Sequence, residues 1–420
     1  MSPIRFIDLF AGCGGLSEGF VQAGFCPVSH VEMDQAACNT LRTRTAYHWL
    51  REHRQLSVYR SYLNKEISRS ELYGRIPTAV LDTVIQSEIG PETMSQLFSQ
   101  IDKLVGTESV DLIVGGPPCQ AYSLVGRASD KKRMKGDKRN YLFRHYIQFL
   151  ERYRPKFFVF ENVIGLLSAT DENGARYFDM MRDGFSSCGY CTEFQVLNAY
   201  DYGVPQARKR IILIGTRKDL PTVFPTIPRR RYKHIVNDMF AGLPTLHSGE
   251  AKPAFEANLP DRLKPALRST GVLDETMPIS QHATRPHCDL DLEIYRRVVS
   301  EWNENHRRLT YAELPSDLRT RTNLTSFKDR YKVVAGEQPC SHTVIAHIAK
   351  DGHYYIHPSL LQNRSLSIRE AARLQTFPDN YYFESGSRNS ELAAPYRQIG
   401  NAVPVLLSKK IAIALKKHFK

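Results

Sequence analysis

Residues 4–15 read IRFIDLFAGCGG, an apolar strand that runs directly into a glycine-rich turn. Residues 16–24 carry apolar side chains at helical spacing and end at a glycine. A second strand, Pro27 to Val31, then ends in Glu32. This order of strand, glycine turn, helix, strand and acid is typical of a nucleotide-binding βαβ unit, in which the acid binds ribose hydroxyls. We therefore expect an α/β fold with a doubly wound, mostly parallel sheet.

The spacing of the glycines narrows the type of cofactor. Gly12, Gly14 and Gly15 give G-x-G-G rather than the G-x-G-x-x-G of proteins that cradle a pyrophosphate. A nucleoside cofactor without a diphosphate suits this turn better, because the backbone need only approach a ribose and an amino-acid tail. A nicotinamide dehydrogenase is therefore a distant alternative.

Length and composition indicate the number of domains and the general type of protein. The chain has 420 residues, more than a single hydrophobic core usually serves, so we expect two domains. Its 42% hydrophobic and 24% charged residues are ordinary for a globular protein. The sequence has no apolar run of 18 residues and no signal-like start, which favours a cytoplasmic, nucleoid-associated location.

The cysteines do not suggest a metal centre. Cys188 and Cys191 form the one C-x-x-C pair of the sequence, and no second pair or suitable histidine pair accompanies it. The spacing of His342, His347, His353 and His357 also forms no recognised ligand set. We therefore expect reduced thiols and no metal.

A second strand end carries a candidate nucleophile. Residues 111–120 read DLIVGGPPCQ, in which a short buried strand is stopped by glycines and prolines just before Cys119. A further strand, Lys156 to Phe160, ends in Glu161. Ligands of open α/β sheets bind at the carboxyl ends of the strands, so the thiol and the carboxylate could converge there. The alternative is a buried structural cysteine.

The net charge of +13 indicates an acidic partner, most often nucleic acid. Residues 127–156 hold eleven lysines and arginines against three acids, a net of +8. Such a run is commonly only a solvated face. Directly after a candidate nucleophile it also fits a loop closing on phosphates, and Ala121 to Arg139 is our candidate lid.

The remainder of the chain divides into regions of different character. Residues 43–108 look mostly helical, and prolines break the pattern after residue 219. We expect a large domain of residues 1–218, completed by 385–420, and a smaller, irregular strand-and-loop domain of residues 219–384. Arg208 and Arg210 alternate before a strand, so they share one face and could clamp a phosphate or carboxylate.

Six ordered blocks resemble the motifs of DNA (cytosine-5)-methyltransferases of the bacterial restriction-modification type. The blocks are residues 6–15 (FIDLFAGCGG), 116–120 (GPPCQ), 161–163 (ENV), 206–210 (QARKR), 369–379 (REAARLQTFPD) and 396–404 (YRQIGNAVP). Their order matches the family from beginning to end. The resemblance implies the S-adenosylmethionine-dependent methyltransferase fold, with a DNA-recognition domain between the fourth and fifth blocks.

The resemblance also implies a cofactor, S-adenosyl-L-methionine. Glu32 is expected on the ribose, Met33 against the adenine, and Asn401 with Val403 over the methionine end. The other residues expected near the cofactor are Phe10, Gly12, Gly14, Gly15 and Pro117. The family's third motif, which contains an Asp, is not recognisable, and Glu66-Ile67 is a weak substitute.

Four residues are expected to carry the chemistry. Cytosine C5 is a poor nucleophile, and attack of a Cys119 thiolate on C6 would activate it. Protonated Glu161 would relieve the negative charge at N3. By resemblance, Arg208 and Arg210 steer Glu161 and the target's phosphate or carbonyl. The base that removes the C5 proton is not identified.

The expected partner is double-stranded DNA, bound by a monomer. A cognate restriction endonuclease acting on the same site is a partner that the resemblance leaves open. The alternative functions are an RNA cytosine-5 methyltransferase and a sequence-specific DNA-binding protein that kept the fold without catalysis. The recognition interval of roughly 140 residues, long enough for a domain, favours duplex DNA. Intact Cys119 and Glu161 favour catalysis.

Overall fold

A seven-stranded sheet forms the centre of the protein. The computed structural model describes residues 3–118, 141–319, 328–386 and 391–419. The strands are β1 (Ile4–Leu9), β2 (Phe25–Glu32), β3 (Val84–Gln86), β4 (Leu112–Gly115), β5 (Phe157–Asn162), β6 (Tyr190–Asn198) and β7 (Lys209–Arg217). Their order in the sheet is β3-β2-β1-β4-β5-β7-β6.

The sheet is mostly parallel, as the sequence predicts. The neighbours β3, β2, β1, β4 and β5 pair in parallel, and β7 runs antiparallel between β5 and β6. The carboxyl ends of β1, β2, β4 and β5 consequently meet at one edge. One strand departs from expectation, since β3 lies inside the segment predicted to be mostly helical.

Helices cover both faces of the sheet. In chain order they are α1 (Gly15–Gln22), α2 (Gln35–Glu52), α3 (Leu56–Leu63), α4 (Arg69–Gly74), α5 (Thr78–Leu81), α6 (Met94–Val105), α7 (Leu142–Tyr153), α8 (Tyr177–Ser187), α9 (Lys264–Thr270), α10 (Asp289–Asn305), α11 (Ile368–Leu374), α12 (Ala393–Asn401) and α13 (Val405–Lys416). Within the described ranges, none of them combines the length and apolar character needed to cross a bilayer.

Alternation along the strands sorts the apolar side chains into two cores. In β4, Ile113 packs on the side of α6, α7 and α8, whereas Leu112 and Val114 pack on the side of α1 and α13. Successive side chains of a strand point to opposite faces, so a strand buried on both sides is apolar throughout. The predicted doubly wound α/β fold is confirmed.

Helix α13 packs back on α1, as expected for a helix spanning Val405 to Leu415. A Cβ atom on Gly19 of α1 would lie 2.4 Å from the main-chain nitrogen of Lys409, so the two helices touch through backbone. Lys416 Nζ donates to the carbonyl of Ala23 at 2.8 Å. Phe419 packs edge-on against Phe25. This close crossing places residues 402–404 beside the glycine turn.

Residues 218–366 form an irregular region without extended strands among the residues that are described. Helices α9 and α10, short 3-10 turns and isolated bridges such as Phe255 with Ile279 make up its structure. We expected strands and loops in this region; the loops are present, but the described residues form no extended strand. Prolines explain the difference, because they cannot donate to a sheet ladder.

The segment from α11 to residue 384 connects the irregular region to the sheet. The guanidinium of Arg373 forms two 2.8 Å hydrogen bonds to the carboxylate of Asp379, and both side chains are fully buried. Tyr381 donates its hydroxyl to the carbonyl of Cys13 at 2.6 Å, inside the glycine turn. Arg44 of α2 donates to Asn380 at 2.7 Å. The glycine turn is thus braced by a segment more than 360 residues away in the chain.

The buried His357 should make stability depend on pH. Burial lowers its pKa to about 4, against the raising effect of Glu370. The unfolded side chain takes up a proton below about pH 6.5, whereas the folded one stays neutral. Lowering the pH from about 7 to about 5 should therefore remove about 2 kcal/mol of folding free energy through this group.

Urea unfolding of the wild type and the His357→Gln variant at both pH values measures this contribution. The variant should show a smaller loss between the two pH values. The exposed His306→Gln serves as the control and should keep the wild-type dependence. An unchanged pH dependence in His357→Gln would contradict the assignment.

Candidate active site

The candidate site begins where three strands end side by side. Leu9 of β1 is paired with Val31 of β2 and with Gly115 of β4. A Cβ atom on Gly115 would lie 2.5 Å from the carbonyl oxygen of Leu9, so only glycine allows this approach. Gly115 in turn pairs with Phe160 of β5. The segments that follow these strands therefore share one rim.

The glycine turn after β1 leaves a concave backbone at this rim. Phe10, Gly12 and Gly14 all have positive φ, at 56°, 55° and 84°. The Gly14 N–H donates to the carbonyl of Ala11 at 2.9 Å, which closes the turn ahead of α1. A Cβ atom on Gly12 would meet nothing within 4 Å, so the turn is open on that side. Glycine is the residue that adopts such positive φ angles at little cost.

Glu32 lies at the end of β2 and faces the glycine turn. Its carboxylate accepts from the N–H of Gly12 at 2.8 Å and from those of Met33 and Asp34 at 2.9 Å. Burial raises the pKa of Glu32, while these backbone hydrogen bonds oppose the rise. A carboxylate has about four acceptor positions, so one is left for a ribose hydroxyl. Met33 beside it is 59% exposed, an apolar side chain available to an adenine.

Residues 401–403 close the other side of the turn. A Cβ atom on Gly15 would lie 2.4 Å from the carbonyl oxygen of Val403 and 3.0 Å from Cβ of Ala402. Asn401 ends α12 and is exposed, whereas Val403 is buried. The structure thus brings the glycine turn close to Glu32 and to residues 402–403.

The Gly15→Ala substitution should damage this pocket. The added methyl group would overlap the Val403 carbonyl, so the backbone must shift, at a cost of about 1–3 kcal/mol of stability. We expect a lower melting temperature and weaker cofactor binding, measured by differential scanning fluorimetry and isothermal titration calorimetry. Gly74→Ala is the matched control, because its Cβ would meet nothing within 4 Å. Equal behaviour of the two variants would contradict the steric argument.

Glu161 lies at the same rim, at the end of β5. The Nε atom of Arg210 is 2.8 Å from its Oε1, and both side chains are largely buried. A Cβ atom on Gly116 would lie 2.7 Å from Glu161 Oε2, so the turn after β4 packs directly on the carboxylate. Asn162 donates its side-chain amide to the carbonyl of Pro117 at 3.2 Å. These contacts fix Glu161 against the turn that leads to Cys119.

Arg208 differs from Arg210 in its surroundings. Its Nη1 donates to the carbonyl of Val344 at 2.5 Å and its Nη2 to that of Gly400 at 3.2 Å. The side chain is fully buried. These contacts make Arg208 a residue that joins the irregular region to the segment before residue 401. Arg210 forms an ion pair with Glu161. The expectation that Arg208 also steers Glu161 and the substrate stays a prediction.

Cys119 and the candidate lid, Ala121 to Arg139, lie outside the described residues. The structure shows that the basic run of residues 127–156 is not all loop, because its later part forms a helix. Arg144 and Arg152 belong to α7, and Lys156 precedes β5. Arg152 pairs with Asp102 of α6. The part of the run after residue 141 therefore leads to the amino end of β5, at the opposite edge from the strand ends that carry the site.

Glu66, the weak substitute for the missing third-motif acid, does not lie at a strand end. Glu66 follows α3 and accepts from the side-chain amide of Asn64 at 3.0 Å, in a helical region rather than at a strand end. A better-placed acid is Glu88, two residues after Gln86, which pairs with Glu32 across β2 and β3. Its signal in the sequence is an acid that follows the apolar pair Val84-Ile85, the same pattern that identifies Glu32.

Comparison with known proteins agrees with this geometry. The family profile described as C-5 cytosine-specific DNA methylase matches residues 4–65 and 93–417. A Type II methyltransferase of Bacillus paralicheniformis, M.Bpa9945I, is 38% identical, and the match covers 98% of each chain. M.DdeI of Desulfomicrobium norvegicum is 29% identical over 99% of this chain and 89% of its own.

A solved structure supports the fold. A prophage-encoded E. coli chain, assigned as a DNA modification methyltransferase, superposes with a TM-score of 0.63 at 23% sequence identity, covering 99% of both chains. The family profile covers the irregular region and every strand of the sheet except β3, including the strand ends that carry Glu32 and Glu161. The matches to the two relatives span 98% and 99% of this chain. The chain belongs to the C-5 cytosine-specific DNA methylase family and is a DNA cytosine-5 methyltransferase of the bacterial restriction-modification type.

Proposed function

We propose that the protein methylates C5 of a cytosine in a specific double-stranded DNA sequence, with S-adenosyl-L-methionine as donor and a covalent bond between Cys119 and C6. The observation that carries the proposal is the position of Glu161. Arg210 holds it at 2.8 Å, against the turn that leads to Cys119. This turn follows β4, the neighbour of the strand that leads into the glycine turn.

The pocket fits the proposed donor. Glu32 has an acceptor position left for a ribose hydroxyl, Met33 exposes an apolar side chain, and Gly12 leaves the turn open. We propose that Phe10, Gly14, Gly15, Pro117, Asn401 and Val403 complete the pocket, and that Glu88 stands where the family has its third acid. When bound, S-adenosylmethionine supplies an electrophilic methyl group.

The residues of the chain would act in sequence on the base. The Cys119 thiolate forms a bond to C6, and the electron pair of the C5–C6 double bond is displaced into the ring. Protonated Glu161 donates to N3, where the negative charge collects. Carbon C5 would then be nucleophilic enough to accept the methyl group that the donor would supply. Loss of the C5 proton to a base, cleavage of the C6–sulfur bond and return of the N3 proton to Glu161 restore the thiolate and the protonated acid.

Arg210 has a positioning role in this scheme. It fixes Oε1 of Glu161 and leaves Oε2 toward Gly116 and the turn. Preorganised groups of this kind need no reorientation as charge develops on the base. Arg208 would act indirectly, by holding residues 344 and 400 in place.

The reaction requires the cytosine to leave the duplex, because C6 is inaccessible in stacked DNA. Unstacking costs a few kcal/mol, which contacts to the DNA must offset.

The net charge of +13 supports binding to the phosphate backbone. We propose that residues 219–384 supply the base contacts. We also propose that the protein acts as a monomer in the cytoplasm, on nucleoid DNA, and that a cognate restriction endonuclease acts on the same site. The description of the matching family profile, C-5 cytosine-specific DNA methylase, favours DNA over the RNA alternative.

Bisulfite sequencing tests the substrate and the site together. Plasmid DNA from cells that express the protein should contain protected cytosines at one position of a recurring sequence. Plasmid from cells that express the Cys119→Ser variant provides the background. Protection of RNA with unprotected plasmid would instead favour the RNA alternative, and the absence of protection in both would contradict the proposal.

A further inference from the structure

A cluster of metal-binding side chains lies in the irregular region, away from the strand ends that carry the site. His287, Asp291 and His353 each offer one ligand atom, and these three atoms all lie within 4.8 Å of one another. His287 and Asp291 flank the start of α10, whereas His353 comes from a turn about 60 residues later in the chain. We infer that these residues, with Asp351, form a structural zinc site that clamps the start of α10 to residues 351–353.

The distances within the cluster fit a cation better than direct hydrogen bonds. His353 Nε2 is 3.7 Å from Asp291 Oδ1 and 3.9 Å from Asp351 Oδ2. Both separations are too long for hydrogen bonds. Ligands about 2.1 Å from a tetrahedral zinc ion are themselves about 3.4 Å apart, so a small closure of these groups would complete the site.

The outer nitrogens of the histidines already have partners. The Nδ1 atom of His353 is 2.8 Å from the hydroxyl of Tyr295, which leaves Nε2 toward the carboxylates. The Nε2 atom of His287 is 3.0 Å from Ser365 Oγ, and its Nδ1 atom is 3.3 Å from the same Tyr295 hydroxyl, a longer contact that a bound metal ion would replace. Metal-binding histidines almost always have their second nitrogen held in this way, which fixes the ring orientation.

Charge and ligand type also favour zinc. The two imidazoles and two carboxylates offer nitrogen and oxygen ligands, a set that suits Zn²⁺ in four-fold coordination. Arg330 pairs with Asp351 Oδ2 at 3.3 Å and is the cation nearest to the carboxylates in the described contacts. The guanidinium of Arg285 packs over the ring of Tyr396 and donates to the carbonyl of Ile348. The spacing of the histidines in the sequence did not suggest this set, because His287 and His353 meet only after folding.

Metal content and cobalt substitution test the proposal on the full-length protein without a histidine tag. Elemental analysis of protein purified without added chelator should find one zinc per chain. Protein stripped of metal and titrated with Co²⁺ should show the visible absorption of a tetrahedral cobalt site. The near-ultraviolet band of cobalt bound to sulfur should be missing, which separates this site from the cysteines.

Three variants locate the site. Asp291→Asn should lose the bound zinc and the cobalt spectrum, and Tyr295→Phe should weaken zinc binding about 10–100-fold by releasing His353. The exposed His306→Gln is the control and should bind zinc as the wild type does. Far-ultraviolet circular dichroism and DNA binding establish that each variant is folded, and Asp351→Asn replaces Asp291→Asn if the latter is not.

Two results would overturn the proposal. One is wild-type protein that contains no zinc and gives no cobalt spectrum. The other is a folded Asp291→Asn or Asp351→Asn variant that keeps both the metal and the wild-type spectrum. Neither result bears on methyl transfer at the strand-end site.

Discussion

Replacing Cys119 by serine is expected to abolish methyl transfer while DNA and S-adenosylmethionine still bind. The hydroxyl of serine is a far weaker nucleophile at neutral pH than a thiolate, so C6 is not attacked and C5 is not activated. We expect the rate to fall by at least about 10³-fold, as is common when a nucleophile is removed. Transfer of a radioactive methyl group to DNA under single-turnover conditions measures this loss.

Two exposed cysteines provide matched controls for this variant. Cys26 and Cys288 are exposed, so Cys26→Ser and Cys288→Ser test whether thiol loss elsewhere affects the rate. Both should keep wild-type activity. A second readout uses DNA that contains 5-fluorocytosine at the target, which should trap a covalent complex with the wild type and none with Cys119→Ser. Full activity of Cys119→Ser would rule out the covalent mechanism.

The Glu161→Gln substitution is expected to lower the transfer rate by about 10²–10⁴-fold, the range over which a positioned acid contributes. Glutamine keeps the size and shape of the side chain, and its amide cannot deliver a proton to N3. Its amide oxygen can still accept from Arg210 Nε, which lies 2.8 Å from Glu161 Oε1. Because Glu161 is held against Gly116 by packing, we expect the turn to keep its position and DNA affinity to change little.

Single-turnover rates and DNA affinity of Glu161→Gln separate these effects. Glu193→Gln, an exposed acid on β6 of the same sheet, is the control and should behave as the wild type. Arg210→Lys should lower the rate less than Glu161→Gln does, since a cation remains near the carboxylate. A Glu161→Gln variant with an unchanged rate would exclude Glu161 as the acid at N3.

The sequence predicts most of the sheet because its strands end in unusual residues. The apolar runs of β1, β2, β4 and β5 are followed by glycines, prolines or an acid, so their ends are easy to recognise. The same residues lie at the rim, which is why the candidate site could be assembled from separate parts of the chain. The strand ends can be recognised from the local sequence, and in the fold they lie at one rim of the sheet.

The features that the sequence does not predict depend on distant contacts. Strand β3 has three residues inside a largely helical segment, too few for a periodic signal. The alternation of Arg208 and Arg210 gives no hint that Arg208 bonds to residues 344 and 400. Glu88 becomes a candidate only once β3 is placed beside β2.

The packing of α13 on α1 has a consequence for the order of folding in the cell. The segment from residue 4 to 22 is synthesised well before α13, yet residues of α13 cover its apolar side chains Leu16 and Phe20. At about 5–20 residues per second, this wait lasts on the order of tens of seconds. The methyl-donor pocket would therefore form only after translation of α13, and a chaperone that shields the nascent chain until then should raise the yield of active protein.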